Sequence, residues 1–95
     1  MKQLILLATL ALFGCATESK YQEKLNSWLH RPKSELVLAW GVPDKTYKLD
    51  KNTELLAYKK ETKIQGVKYW CKTTFTITNN AVSKWITEGN DCRSH

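Results

Sequence analysis

Cysteine and histidine are the residue types here with the most varied chemistry, and the chain of 95 residues holds three of the first and two of the second. Cys71 and Cys92 stand apart, with no CxxC pair, and His30 and His95 lack ligand spacing. A zinc-type site is therefore the weaker use of these side chains, and a disulfide is the stronger. Closing a loop of about twenty residues would contribute roughly 3 kcal/mol on the chain-entropy estimate. The catalytic inventory is thin. His30 is followed by Arg31-Pro32 at the expected end of a helix, where capping or solvent exposure is the common role. Asp44, Asp50 and Glu54 gather around one expected hairpin, where carboxylates are usually solvated or bonded to local backbone. No Ser/His/Asp set, phosphate loop or metal spacing is present, so the expectation is a non-enzymatic protein with no cofactor and no metal.

Cys15 is a different case, because it ends an apolar run. Lys2 is followed by Leu4, Ile5, Leu6, Leu7, Ala8, Leu10, Ala11, Leu12 and Phe13, and the run stops at Gly14-Cys15. This is the layout of a secretory leader. As a helix, about ten residues would cover roughly 15 Å, half of a ~30 Å hydrocarbon core, so a permanent span is the poorer reading. Leu12-Phe13-Gly14-Cys15 resembles the lipobox of bacterial lipoprotein precursors, with Phe13 where a small residue is usual. The resemblance implies removal of residues 1–14 and acylation of Cys15 as the mature N-terminus. It also implies, through Ala16 rather than Asp after the cysteine, sorting to the outer membrane. Each buried methylene contributes ~0.8 kcal/mol, so two or three acyl chains would hold the protein on a bilayer. Export places Cys71 and Cys92 in a disulfide-permissive compartment.

Without the leader about 80 residues remain, a single small domain near the size where a core alone is marginal. The net charge is +6, of which Lys2 supplies one. A basic, solvated surface accounts for that; attraction to anionic headgroups or to an acidic protein partner is the sharper alternative. Nucleic acid is disfavoured by the compartment and by the lack of a binding motif.

The elements follow from spacing. Residues 15–18 are expected to be a short lipidated tether and residues 19–95 the domain. Ser19 with Gln22 reads as a capping box opening a helix that ends near His30, with Tyr21, Leu25, Trp28 and Leu29 on one face. Pro32 suits the first turn of a second helix, residues 32–40, with Leu36, Val37 and Trp40 as its buried stripe. Gly41 fits its C-terminal stop and Pro43 prevents resumption. Residues 46–49 and 53–58 flank the turn-like Asp50-Lys51-Asn52 as a hairpin. Residues 69–78 form the clearest strand, with Tyr69, Cys71, Thr73, Phe75 and Ile77 on its covered face. Asn79-Asn80 turns into a last strand, residues 81–87. A simple two-residue turn there sets Phe75 opposite Lys84 and sends Trp85 to the other face, so a bulge or a longer loop is the alternative. Residues 59–68 are basic and turn-rich, the expectation being a protruding hairpin end.

Four tryptophans exceed what so small a core requires. Trp28 and Trp40 belong to apolar helical faces. Trp70 falls on the polar face of its strand, beside Lys68 and Lys72. An aromatic flanked by positive charge suits a protein interface or a membrane surface, and Trp70 with Lys59, Lys60, Lys63, Lys68 and Lys72 is the candidate partner surface. Partial burial of Trp70 under residues 59–68 is the competing account.

Two helices, then an antiparallel meander, behind a lipidated cysteine resemble the SmpA/OmlA-type lipoproteins, the family of BamE. The carrying residues are Ser34-Glu35-Leu36-Val37 and Trp40-Gly41-Val42-Pro43, similar to that family's short helix ending in Leu-Gly-x-Pro, here with Trp40 for the leucine. Residues 55–58 resemble its next strand, and residues 75–82 its third strand and following turn. The Cys71 and Cys92 pair, residues 59–68 and the last strand depart from it. The resemblance implies an α+β fold, two N-terminal helices packed on a three- to four-stranded antiparallel sheet in a BamE-like two-layer sandwich. It further implies a membrane-anchored scaffold or binding module facing the periplasm, serving outer-membrane assembly or integrity through an envelope protein partner. An inhibitor or exclusion lipoprotein that blocks an enzyme or incoming machine is the alternative. Fold alone does not choose between them.

Overall fold

Tyr21 and Leu25 lie on a helix, α1, which spans Ala16–Asn26 in the computed structural model; it ends four residues before the expected His30, so Trp28 and Leu29 fall in the turns that follow it. The model describes residues 16–94; the leader, Cys15 and His95 lie outside the described residues. Helix begins three residues before Ser19, so Ser19 and Gln22 are interior positions and no capping box forms. The expected tether through Glu18 is likewise helical from Ala16 onward. Ala16 is a strong helix former and Glu18 lies in the first turn, where an acidic side chain suits the positive end of the helix dipole.

After Asn26 the chain tightens into three-residue turns, with Trp28 N–H donating to Leu25 O at 3.0 Å and Arg31 N–H to Trp28 O at 3.1 Å. His30, at φ +72°, ends the turn. The linker is held to the sheet: His30 N–H donates to Val82 O at 2.7 Å and Val82 N–H to Arg31 O at 2.9 Å. Pro32 forms a bridge with Ala81 and is extended, so it precedes helix α2, Lys33–Trp40, rather than opening it. The first helical N–H, of Lys33, would lack an intrahelical partner; it donates to Asn80 O at 2.8 Å. Gly41, at φ +87°, caps α2 with its N–H on Val37 O.

Four strands follow, β1 (Lys45–Lys48), β2 (Thr53–Ile64), β3 (Val67–Thr78) and β4 (Ala81–Gly89), in one antiparallel sheet of order β1-β2-β3-β4. The fold is α+β, with both helices contributing to one core. Residues 59–68 form the expected hairpin end, but as extended strand rather than turn-rich chain, bent back only at Gln65-Gly66, both at positive φ as a tight hairpin turn requires. Asn79-Asn80 make a second such turn. A bulge then leaves Ser83 unpaired, so that Val82 stays opposite Ile77 while Trp85 comes opposite Phe75. One extra residue thus returns Trp85 to the helix side, where its Nε1–H donates to Asn26 Oδ1 at 3.0 Å.

The core is Leu25, Trp28 and Leu36 from the helical segment against Leu56, Tyr58, Phe75, Ile77 and Val82 from the sheet, with Tyr21, Leu29, Val37, Trp40 and Trp85 at its margin. Trp40 meets Phe75 edge-on at 5.0 Å and Tyr58 at 5.4 Å. Cys71 and Cys92 are joined by a disulfide that ties the segment after β4 back onto β3. Gly89, at φ +132° opposite Cys71, lets the chains approach there, since a Cβ would collide with Trp70 O.

Candidate functional site

Alternation along the long hairpin decides what the candidate partner residues can do together. Leu56 pairs with Phe75 and Tyr58 with Thr73 on the helix-facing side. The intervening pairs, Lys59 with Lys72, Glu61 with Trp70 and Lys63 with Lys68, therefore share the opposite face. Five of the six candidate residues meet there. Lys60 does not: it is opposite Cys71, on the helix side of the sheet. The period-two pattern of residues 69–78, extended back through Gln65-Gly66, contains that assignment, but only once the turn is known to be two residues long.

On the outer face Glu61 is the one acid between the lysines of the hairpin. Lys68 Nζ lies 2.8 Å from its Oε1 and Lys59 Nζ 3.9 Å from its Oε2. The hydrogen bond from Lys68 holds the Glu61 carboxyl below the usual carboxylate range, and the charges of Lys68, Lys59 and Lys63 act in the same direction. Lys59 Nζ also sits 5.6 Å from the centre of the Trp70 ring, within cation–π reach. Trp70 is half-buried among these neighbours rather than beneath a loop. Lys72 reaches Glu88 on β4 at 3.9 Å. The result is a basic, ion-paired surface around one indole ring, suited to recognising anionic groups and an apolar contact at once.

The helix-facing side of the same hairpin carries a cleft of about 520 Å³, lined by Tyr21, Trp28, Trp40 and Tyr69 with Lys24, Lys60 and Arg93 among its polar neighbours. Sequence reading found neither this cleft nor the role of Asp44. Asp44 N–H donates to Ala57 O at 2.9 Å and its Oδ2 accepts from Lys59 N–H at 2.6 Å. Nearby, Tyr58 OH donates to Gly41 O at 2.9 Å; burial, and secondarily the Asp44 charge, pushes that phenol upward. Among the described residues no group of three or more His, Cys, Asp or Glu could hold a metal ion, and His30 is exposed on its linker. Among them also, no helix is long and apolar enough to cross a membrane.

Neither protein-family models, nor curated proteins, nor solved structures give a match to this chain. The geometry of its own side chains is what bears on function.

Proposed function

We propose that this protein is a lipid-anchored, non-enzymatic binding module of the bacterial envelope, held at the outer membrane through Cys15 and facing the periplasm. Its body would be a scaffold of the SmpA/OmlA type, in the two-layer arrangement of BamE, engaging an envelope protein complex in outer-membrane assembly or integrity. The supporting observation is the outer face of the β2–β3 hairpin, where Trp70 is surrounded by Lys59, Lys63, Lys68 and Lys72. A half-buried indole beside cations is the composition of an interface anchor, with desolvated aromatic area and positive charge for orientation.

The test is photocrosslinking in intact cells. Replacement of Trp70 by a photoreactive phenylalanine should capture one envelope protein, and Lys63→Glu with Lys68→Glu should reduce the yield several-fold. Capture of lipid only, or yields indifferent to both charge reversals, would count against the reading. Mass spectrometry of the native product decides the anchor: diacylglycerol on Cys15 is expected, and an unmodified thiol there defeats it.

A further inference from the structure

The two long sides of the projecting hairpin are finished differently. In a hairpin closed by a two-residue turn, Ile64 and Val67 bond to each other, so the backbone groups of residues 60, 62 and 64 point at β3. Those of Lys59, Glu61 and Lys63 point away from it, as do those of Lys68 and Trp70 on β3. Along β3 these outward groups are occupied. Trp70 N–H donates to Asn90 Oδ1 at 2.9 Å, Asn90 Nδ2 donates to Lys68 O at 3.0 Å, and Asp91 N–H donates to Trp70 O at 3.0 Å. The side chain of Asn90 and the backbone of Asp91 stand in for a strand, fixed by the neighbouring disulfide.

Along β2 no such cover exists among the described residues. β1 pairs only with Glu54–Ala57, and Asp44 takes Lys59 N–H. The Lys59 carbonyl and both backbone groups of Glu61 and Lys63 then face outward beside exposed side chains. An uncovered edge is a template for strand addition. Its five residues, at ~3.4 Å each, span about 17 Å, room for a short strand in line with β1.

Charge selects the occupant. The edge strand carries Lys59, Lys60 and Lys63 with Lys68 next to it, against Glu61 alone. A second copy would bring the same excess of lysine, three against one glutamate on each edge, so positive meets positive, whereas an acidic segment matches the edge along its length. We infer that the free edge of β2 at residues 59–63 is a docking site for an extended acidic peptide segment, which adds as a fifth strand in line with β1. This deepens the binding-module reading and rests on it.

The full chain in detergent, with the peptide (Val-Glu)4 as probe and (Val-Lys)4 as control, tests it by amide hydrogen exchange. At ten times its dissociation constant the acidic peptide should slow exchange at Glu61 and Lys63 about tenfold. Tyr47 in β1 should be unchanged, and the basic peptide should have no effect. Lys63→Pro, which removes one edge N–H at a position where proline is tolerated, should abolish the protection; Lys63→Glu, which keeps the backbone, should weaken it. Protection by both peptides alike, protection along β4 instead, no protection at millimolar peptide, or protection without peptide through self-association would each overturn the inference. Crosslinking from position 70 that persists while the edge stays unprotected would sink the edge site alone and leave the binding-module reading standing.

Discussion

Leu56, Tyr58, Phe75 and Ile77 are buried on the helix-facing side of β2 and β3, whereas Ile64 and Val67, on the same face further out, are 56% and 49% exposed. The two regions share strands, alternation and turn geometry. They differ in what lies above them: Leu25, Trp28, Leu36 and Trp40 cover the first, and among the described residues Ile64 and Val67 have no such cover. Burial therefore comes from the covering helices and not from the strand pattern. The covered half should unfold only with the whole domain, while the projecting half, held by backbone bonds, ion pairs and one disulfide, should open locally at lower cost.

Truncating the covered half should have the largest effect. Phe75→Ala removes a fully buried ring that touches Trp40 and Tyr58, and about 3–5 kcal/mol of stability should go with it, read as a lower urea midpoint. A loss below 1 kcal/mol would mean that the two halves do not differ in packing. Next in size, Cys71→Ala with Cys92→Ala should cost about 3 kcal/mol for a bridge closing 21 residues. Most of the local change should fall on the projecting half. Trp70 amide exchange should quicken, because Asn90 and Asp91 lose their fixed position, while Phe75 remains protected until global unfolding. Equal acceleration at both would merge the two regions into one cooperative unit.

The same division explains what could be read in the residues beforehand. Where helix and sheet cover each other, both periodicities must be written in the chain, and the stripes Tyr21-Leu25-Trp28-Leu29 and Cys71-Thr73-Phe75-Ile77 are legible. The disulfide was legible by counting cysteines. Lys59-Lys60-Glu61-Thr62-Lys63-Ile64 is exposed and carries no apolar alternation, no described element covering it, and lysine and glutamate are poor strand formers. It is a strand because Gln65-Gly66 returns the chain against a partner. That is why five of the six candidate residues share one face of the hairpin and Lys60 falls on the other. Trp85's side depends on a bulge at Ser83, a one-residue event without a compositional signature. The Asn90 contacts and the pinned linker at His30 are tertiary bonds, invisible until the strands are paired.

The smallest expected effect sharpens the comparison most, since it concerns the projecting half alone. Glu61 has its carboxyl lowered from an ordinary value of 4.5, chiefly by the hydrogen bond from Lys68. Between the folded and unfolded values the folded hairpin end binds fewer protons, so its stability rises with pH in that window. The contribution is complete above 4.5 and is lost as pH falls through the lower folded value. A carbon-detected NMR titration of the Glu61 carboxyl should show an inflection below 4.5 that moves back upward at 1 M salt, where the Debye length is about 3 Å. Protection at Lys60 and Thr62, whose N–H groups bond to β3, should fall relative to the unfolded-chain rate on the acid side while that of Phe75 is unaffected, and Glu61→Gln should remove the pH dependence. Because both partners are exposed and the pairs are screened by solvent, the effect belongs to local opening and not to the global midpoint. An inflection at or above 4.5 would show that the ion pairs around Trp70 are not populated, and the basic face would then be open to a partner without first breaking them.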